Sequence, residues 1–255
     1  EVRDLIAQIA EPLTKCYVDN YDKLDVKSRV SLIELIAALK DPRTEPAIKK
    51  AFEEFAKRPR TSADEADIKW AARAMRDMKL TGTAGAMLDA FQKLKAHTML
   101  GGVSYRDMNE AMLAMPQASW SGPLQKVLEA DVTPPNPKEP NSVDEYKDQL
   151  FWQTAAAQLL GEVKSTEAVD SLLKVILDPS KGDVAATALL ALVKIGKPAA
   201  DRATKLLNGE APELKTYYLA KLKAASGGKD APSGDPEKQL AAVILGTMGR
   251  TDSVA

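Results

Sequence analysis

The sequence predicts an all-α protein, an α-solenoid in which about six helical hairpins stand in file. Three observations carry this. Aromatic residues make up only 5% of the 255 residues, while Ala, Leu and Lys, which lose little side-chain freedom in a helix, fill the middle of most segments. Apolar residues recur at steps of three and four along nearly the whole chain. One turn also keeps returning. Leu39 leads to Ala47, Met78 to Ala86, Met115 to Pro123, Leu160 to Ala168 and Leu245 to Ser253, each pair eight positions apart. The second-helix anchors Ala47, Ala86, Pro123 and Ala168 follow one another at 39, 37 and 45 residues. That is the period of stacked helix pairs, none of which can bury its apolar stripe alone.

Residues 1–20 read as a helix with Leu5, Ile6, Ile9, Leu13 and Val18 inward and a bend at Pro12. Cys16 lies near that face as a small buried hydrophobe. The first hairpin (25–58) opens at Asp25 and runs through Val30, Ile33, Ile36 and Leu39 to Asp41-Pro42, where the proline disfavours helix in the residue before it. Thr44 caps its partner, which carries Ala47, Ile48, Ala51, Phe52 and Phe55. The second (62–95) starts at a capping box, Ser62 to Glu65, followed by Ile68, Ala71, Met75 and Met78, and returns through Met87, Leu88 and Phe91. The third (104–131) carries Met108, Met112 and Met115, turns at Pro116 and continues with Leu124 and Leu128.

Four prolines in residues 132–141 dictate an extended loop. A second capping box, Ser142 to Glu145, opens the fourth hairpin (142–178). Its first helix ends at Leu160-Gly161, and Thr166 caps the next, with Leu172, Leu173 and Ile176 on one face. The fifth (183–208) joins Val184–Ile195 to Ala200–Leu207. The sixth (212–255) holds Pro212–Ala224, a Gly- and Ser-containing link, and a helix announced by Asp235-Pro236-Glu237. Its closing stretch, LGTMGRTDSVA, has no second helix of its own. Residues 1–255 therefore read as one solenoid domain, part of a longer array.

Acidic and basic residues balance at 36 against 35, a net charge of -1; a binder of nucleic-acid backbone normally carries a basic excess. One cysteine, Cys16, makes an intrachain disulfide impossible, and with one histidine, His97, the usual zinc ligand sets cannot be assembled. No apolar run reaches the length of a membrane span. The chain opens at Glu1 without a methionine. This fits a periplasmic or cell-envelope protein after signal removal, with a lipid anchor upstream, or else a trimmed cytoplasmic fragment.

Three segments, LGEVKSTEAVDSLL, LVKIGKPAADRATKLL and LGTMGRTDSVA, resemble bacterial HEAT repeats of the phycobilisome-lyase type. The resemblance implies a right-handed α-solenoid of about six HEAT-like helical hairpins, with first helices on the convex side and second helices on the concave one. Such repeats serve as scaffolds, adaptors, chaperone-type factors and, less often, enzymes such as bilin lyases.

Under that arrangement the outward positions of the second helices form a ladder: Lys50 and Glu53, Asp89 and Lys93, Lys126 and Glu129, Asp170 and Lys174, Arg202 and Lys205. Nearly every rung mixes signs. A phosphate track would need one sign, whereas a protein partner tolerates both; otherwise these are solvated faces. The links between hairpins would gather into a ridge, in which 96–103 is an apolar loop with Met99, Leu100 and Val103, a partner contact or a plug between repeats. No phosphate loop, nucleophile elbow or metalloprotease motif is present. The expectation is a non-catalytic scaffold or adaptor without a cofactor, binding a protein partner through the concave face and the loop ridge. A bilin lyase or chaperone-type factor is the alternative, ahead of nucleic-acid binding.

Overall fold

The computed structural model describes residues 2–58, 66–94, 99–228 and 234–249, the side chains of 2, 3, 66 and 99–104 excepted. Among these residues the protein is all-helical, with thirteen α-helices and no strand. Its contacts divide it into two compact units, Glu1–Pro116 and Gln117–Ala255. The boundary falls inside the expected third hairpin.

Unit 1 holds α1 (Val2–Asn20), α2 (Val26–Leu39), α3 (Glu45–Lys57), α4 (Ala66–Met78), α5 (Ala84–Phe91) and α6 (Met99–Ala114). The first helices α2, α4 and α6 pack in file, α3 lies beside α5 and against α4, and α1 covers α2 and α3. Asp25 caps α2 as expected, its carboxylate accepting from the Ser28 amide at 2.7 Å. Ile33, Ile36, Ile48, Phe52, Phe55, Ile68, Met75 and Phe91 are buried between the layers. The Ser62–Glu65 box and His97 lie outside the described residues.

The same turn is built three times. Lys40, Lys79 and Lys164 follow the last residue of a helix with φ of 49°, 55° and 54°. Each is followed by a single residue and then a three-residue 3-10 turn, Pro42–Thr44, Thr81–Thr83 or Thr166–Ala168, that runs straight into the next helix. The amides of Leu80 and Ser165 reach back to the carbonyls of Met75 and Leu160, the closure that satisfies the orphan carbonyls of a helix end. In the third hairpin the corresponding place is Pro116, whose ring forbids positive φ, and the 3-10 turn there is Ala118–Trp120. The residues that end the four 3-10 turns, Thr44, Thr83, Trp120 and Ala168, are all buried, as are Ile48, Met87, Leu124 and Leu172 four positions later.

Unit 2 contains α7 (Ser121–Glu129), α8 (Ser142–Val163), α9 (Val169–Leu177), α10 (Gly182–Ile195), α11 (Lys197–Leu207), α12 (Pro212–Ala225) and α13 (Pro236–Thr247). Here α7 packs on α8, α8 on α10 and α9 on α10, and α13 packs on α11. The helices read as the sixth hairpin thus have their main packing in different places, α13 on α11 and α12 on α9. Residues 132–136 have no regular structure, but 137–141 are not extended: they turn, the Glu139 amide on the Asn136 carbonyl and the Ser142 amide on the Glu139 carbonyl.

Several local expectations need correction. Gly161 does not end a helix: α8 continues to Val163, and Gly161 is buried where α10 crosses. A Cβ there would lie 2.8 Å from the Cα of Ala191, so the glycine admits a backbone, not a turn. The fourth hairpin is consequently three residues out of the register read from Leu160, and Val163 is the counterpart of Leu39 and Met78. Neither Thr166, Thr44 nor Ser142 caps a helix through its side chain. Thr44 instead seals its turn on the Asp41 carbonyl at 2.6 Å, and the Ser142 hydroxyl ties down the loop carbonyls of Asn136 and Glu139.

Helix α1 is rotated relative to its apolar pattern. Ala10, Thr14, Tyr17 and Tyr21 are buried, while Leu5 and Ile9 are exposed and so is Cys16. The two tyrosines have partners inside. Tyr17, Tyr21 and the Arg29 Nε all donate to one oxygen of the buried Asp67, at 3.3, 3.1 and 3.1 Å. A buried carboxylate without donors is costly, and that requirement turns the helix. Met99, Leu100 and Val103 belong to α6, not to a loop. Gly101 and Gly102 lie within α6; a helical glycine costs only about 1 kcal/mol relative to alanine, which packing of α6 on α4 can absorb.

Candidate functional site

The residues expected to form a ladder lie on second helices of both units, and each unit places its own differently. In unit 1, Glu53 and Lys57 of α3 face Asp89, Gln92 and Lys93 of α5 across an open groove of about 590 Å³ floored by Ala56 and Ala86. The helical step of three to four residues puts these side chains on one face of each helix. Lys50 turns away from that groove. Its ammonium bonds the Glu54 carboxylate at 2.9 Å and lies 5.7 Å from the centre of the Tyr21 ring. Burial raises the proton affinity of Glu54, but hydrogen bonds from Lys50 and Lys57 outweigh it and hold the carboxyl below its usual range.

In unit 2 most rungs are already engaged. Glu129 of α7 accepts the Ser171 hydroxyl of α9 at 2.5 Å. Arg202 of α11 grips Asp170 of α9 with two parallel hydrogen bonds, 2.6 and 2.9 Å, and also pairs with Glu213 of α12. The Asp170 bonds are the main reason the guanidinium is held firmly protonated. Lys174 stands 5.8 Å from the Tyr217 ring centre. Lys126 and Lys205 are exposed on α7 and α11.

Four residues central to this region lie off the ladder. Asp178, buried at the end of α9, accepts from the Ser180 amide and hydroxyl on one oxygen. Its other oxygen takes the Tyr217 hydroxyl at 3.0 Å and the Lys221 ammonium at 3.1 Å. Burial pushes this carboxyl up, yet the four donors more than offset it and the group is held below the usual range. Burial, followed by the charge of Asp178, pushes the Tyr217 phenol up to about 12. Lys181 is buried with its ammonium on the carbonyls of Leu128 and Ala130, both at 2.7 Å, capping the end of α7 with a positive charge. Burial lowers its proton affinity.

Leu128, Glu129, Ser171, Lys174, Val175, Lys181 and Tyr217 line a half-open pocket of about 240 Å³. The sequence offered one signal for Asp178: Asp178-Pro179 repeats Asp41-Pro42, and both aspartates accept the amide two residues on. Nothing local distinguished Lys181 from any surface lysine.

Among the described residues no three His, Cys, Asp or Glu side chains come together as a metal site, and no helix is long and apolar enough to cross a membrane. The class so defined is an all-α protein of packed helix pairs whose second helices carry charged rows. No family model, curated protein or solved structure matches the chain.

Proposed function

We propose that the protein is a non-catalytic scaffold of the HEAT-repeat kind, a right-handed α-solenoid that binds a protein partner along its second helices. The observation that carries this reading is the α3–α5 groove, where Glu53, Lys57, Asp89 and Lys93 interleave both signs around an open volume of about 590 Å³. Mixed charge at short range suits the complementary side chains of a folded or helical partner and gives specificity and on-rate. A polyphosphate backbone would meet repulsion from Glu53 and Asp89 at every step.

The test is site-specific photo-crosslinking from position 89 of the full chain in its host cell, with the adduct identified by mass spectrometry. One protein should dominate, and the variant Glu53→Lys/Asp89→Lys/Lys93→Glu should weaken its binding at least tenfold while the melting temperature stays within a few degrees. Duplex nucleic acid bound tightly and released steeply by salt would overturn the reading. So would transfer of a bilin to an acceptor protein by the purified chain.

A further inference from the structure

Helix α12 stands outside the stacking of unit 2. Each second helix there is covered by a first helix, α7 by α8, α9 by α10 and α11 by α13, and the last of these pairs skips α12. Instead α12 lies across α9 and the adjoining turn Pro179–Lys181, on the ladder side. Only Leu214 and Tyr218 of its residues are buried. Beside these two, Lys215 pairs with Asp235 and Glu237 at the start of α13, at 3.0 and 2.7 Å, and a second polar edge meets α9, α11 and the loop before α8. Glu213, Tyr217 and Lys221 fall at i, i+4 and i+8, hence on one face. Glu213 meets Arg202, the Tyr217 ring meets Lys174 and its hydroxyl Asp178, and Lys221 bonds Asp131 at 2.8 Å and Asp178 at 3.1 Å.

We propose that this seat is a binding surface for an amphipathic helix of a partner protein, one bearing an acid, an aromatic and a lysine or arginine at i, i+4 and i+8, and that α12 is its resting occupant. The proposal rests on the scaffold reading but uses a surface different from the α3–α5 groove. The layout of the seat specifies the occupant. Its cation Arg202, its central Lys174 and its carboxylates Asp131 and Asp178 are spaced for anchors about 6 Å apart, the rise of four helical residues. Polarity is specified too. A helix laid the other way would set its cation against Arg202 and its acid against Asp178, which like-charge repulsion rejects. Recognition is of the helix-in-groove type, with polar anchors flanking two apolar ones.

The probe is a fluorescein-labelled peptide with the sequence of residues 211–225, titrated against the full chain by fluorescence anisotropy. Wild type, with α12 in place, should bind it weakly, and Tyr217→Ala/Lys221→Ala should bind it at least tenfold more tightly. Adding Arg202→Glu should abolish the gain, and a peptide with its acid and its second lysine interchanged should be refused. Helical circular dichroism and a cooperative melt establish that the variants fold; Lys221→Ala alone should give a smaller shift in the same direction. A folded double variant that binds no better than wild type overturns the seat, as does binding indifferent to Arg202→Glu. Dimerisation of the wild-type chain by exchange of α12 would assign the seat to a second copy and overturn the partner helix. The Glu53/Asp89/Lys93 variant should leave every one of these results unchanged, so failure of the α3–α5 groove and failure of the seat are read separately.

Discussion

The two units build the same turn and the same row of second helices but treat their charges differently. Six positions after the end of each 3-10 turn stand Lys50, Asp89, Lys126 and Lys174. In unit 1 the face beside Asp89 is an open groove; in unit 2 the face beside Lys174 holds α12. Their buried aspartates diverge as well. All three donors to Asp67 crowd onto one oxygen, and the other has no hydrogen-bond partner, so burial, only partly offset by Arg29 and the two tyrosines, raises its pKa. Both oxygens of Asp178 are occupied, and its pKa is lowered. Burial alone therefore does not set the state of a carboxylate. The balance of burial against the donors does: burial outweighs the three donors at Asp67 and is outweighed by the four at Asp178.

Substitutions that break the shared packing should have the largest effect. Leu172→Asp buries an unpaired charge at a fully buried position and should cost about 4 kcal/mol or more, with loss of a cooperative melt in unit 2. Gly161→Val forces a side chain into the backbone of α10 and should cost about 3 kcal/mol, the upper end of the usual range for overpacking, measured by urea unfolding.

The aspartate contrast is tested next. Asp178→Asn should cost about 2 kcal/mol at pH 7, since it weakens charge-assisted bonds from Lys221 and Tyr217, whereas Asp67→Asn should cost less than about 1 kcal/mol. The pH dependence has opposite signs. Asp178, with its pKa below the ordinary 3.8, stabilises the fold above that value and loses the contribution as pH falls through the depressed pKa. Asp67, with its pKa above 3.8, contributes most below 3.8 and loses that contribution as pH rises through the raised pKa. Urea midpoints between pH 3 and 7 should therefore lose slope at the acid end in Asp178→Asn and above pH 4 in Asp67→Asn.

The turns common to both units should respond alike. Lys40, Lys79 and Lys164 each hold positive φ, so replacing any one by Gly should raise stability by about 0.5–1 kcal/mol. A variant of one turn that gains while another loses would show that the turns are not equivalent. The smallest effect concerns α1. Exposed Cys16 should react with a thiol reagent in the native protein nearly as fast as in 6 M urea, without change in the melting temperature.

Much of the fold was legible. The Asp25 cap, the stop at Asp41-Pro42, the break in helix across 132–141 and the helical stripes from Ile33 to Leu173 all stand where local chemistry puts them. In the first three hairpins the eight-residue turn has the same register. Of the expected row, the helices that carry it were legible, and Glu53, Asp89 and Lys93 line one groove. It was not legible that Arg202, Asp170 and Lys174 are spent on partners inside the chain, because those partners include Glu213 and Tyr217 of a helix with no fixed place in the pattern.

The sequence by itself determined that this chain is helical and where most helices start and stop, because capping, proline geometry and apolar spacing act within a few residues. The tertiary structure alone decided that Gly161 admits α10, that Tyr17 and Tyr21 rather than Leu5 and Ile9 face inward, that Lys181 closes α7 from 53 residues away, and that α12 lies on α9. Each of these depends on the cost of burying a polar group or an unfilled space, and that cost is set by atoms distant in the chain, which no local pattern records.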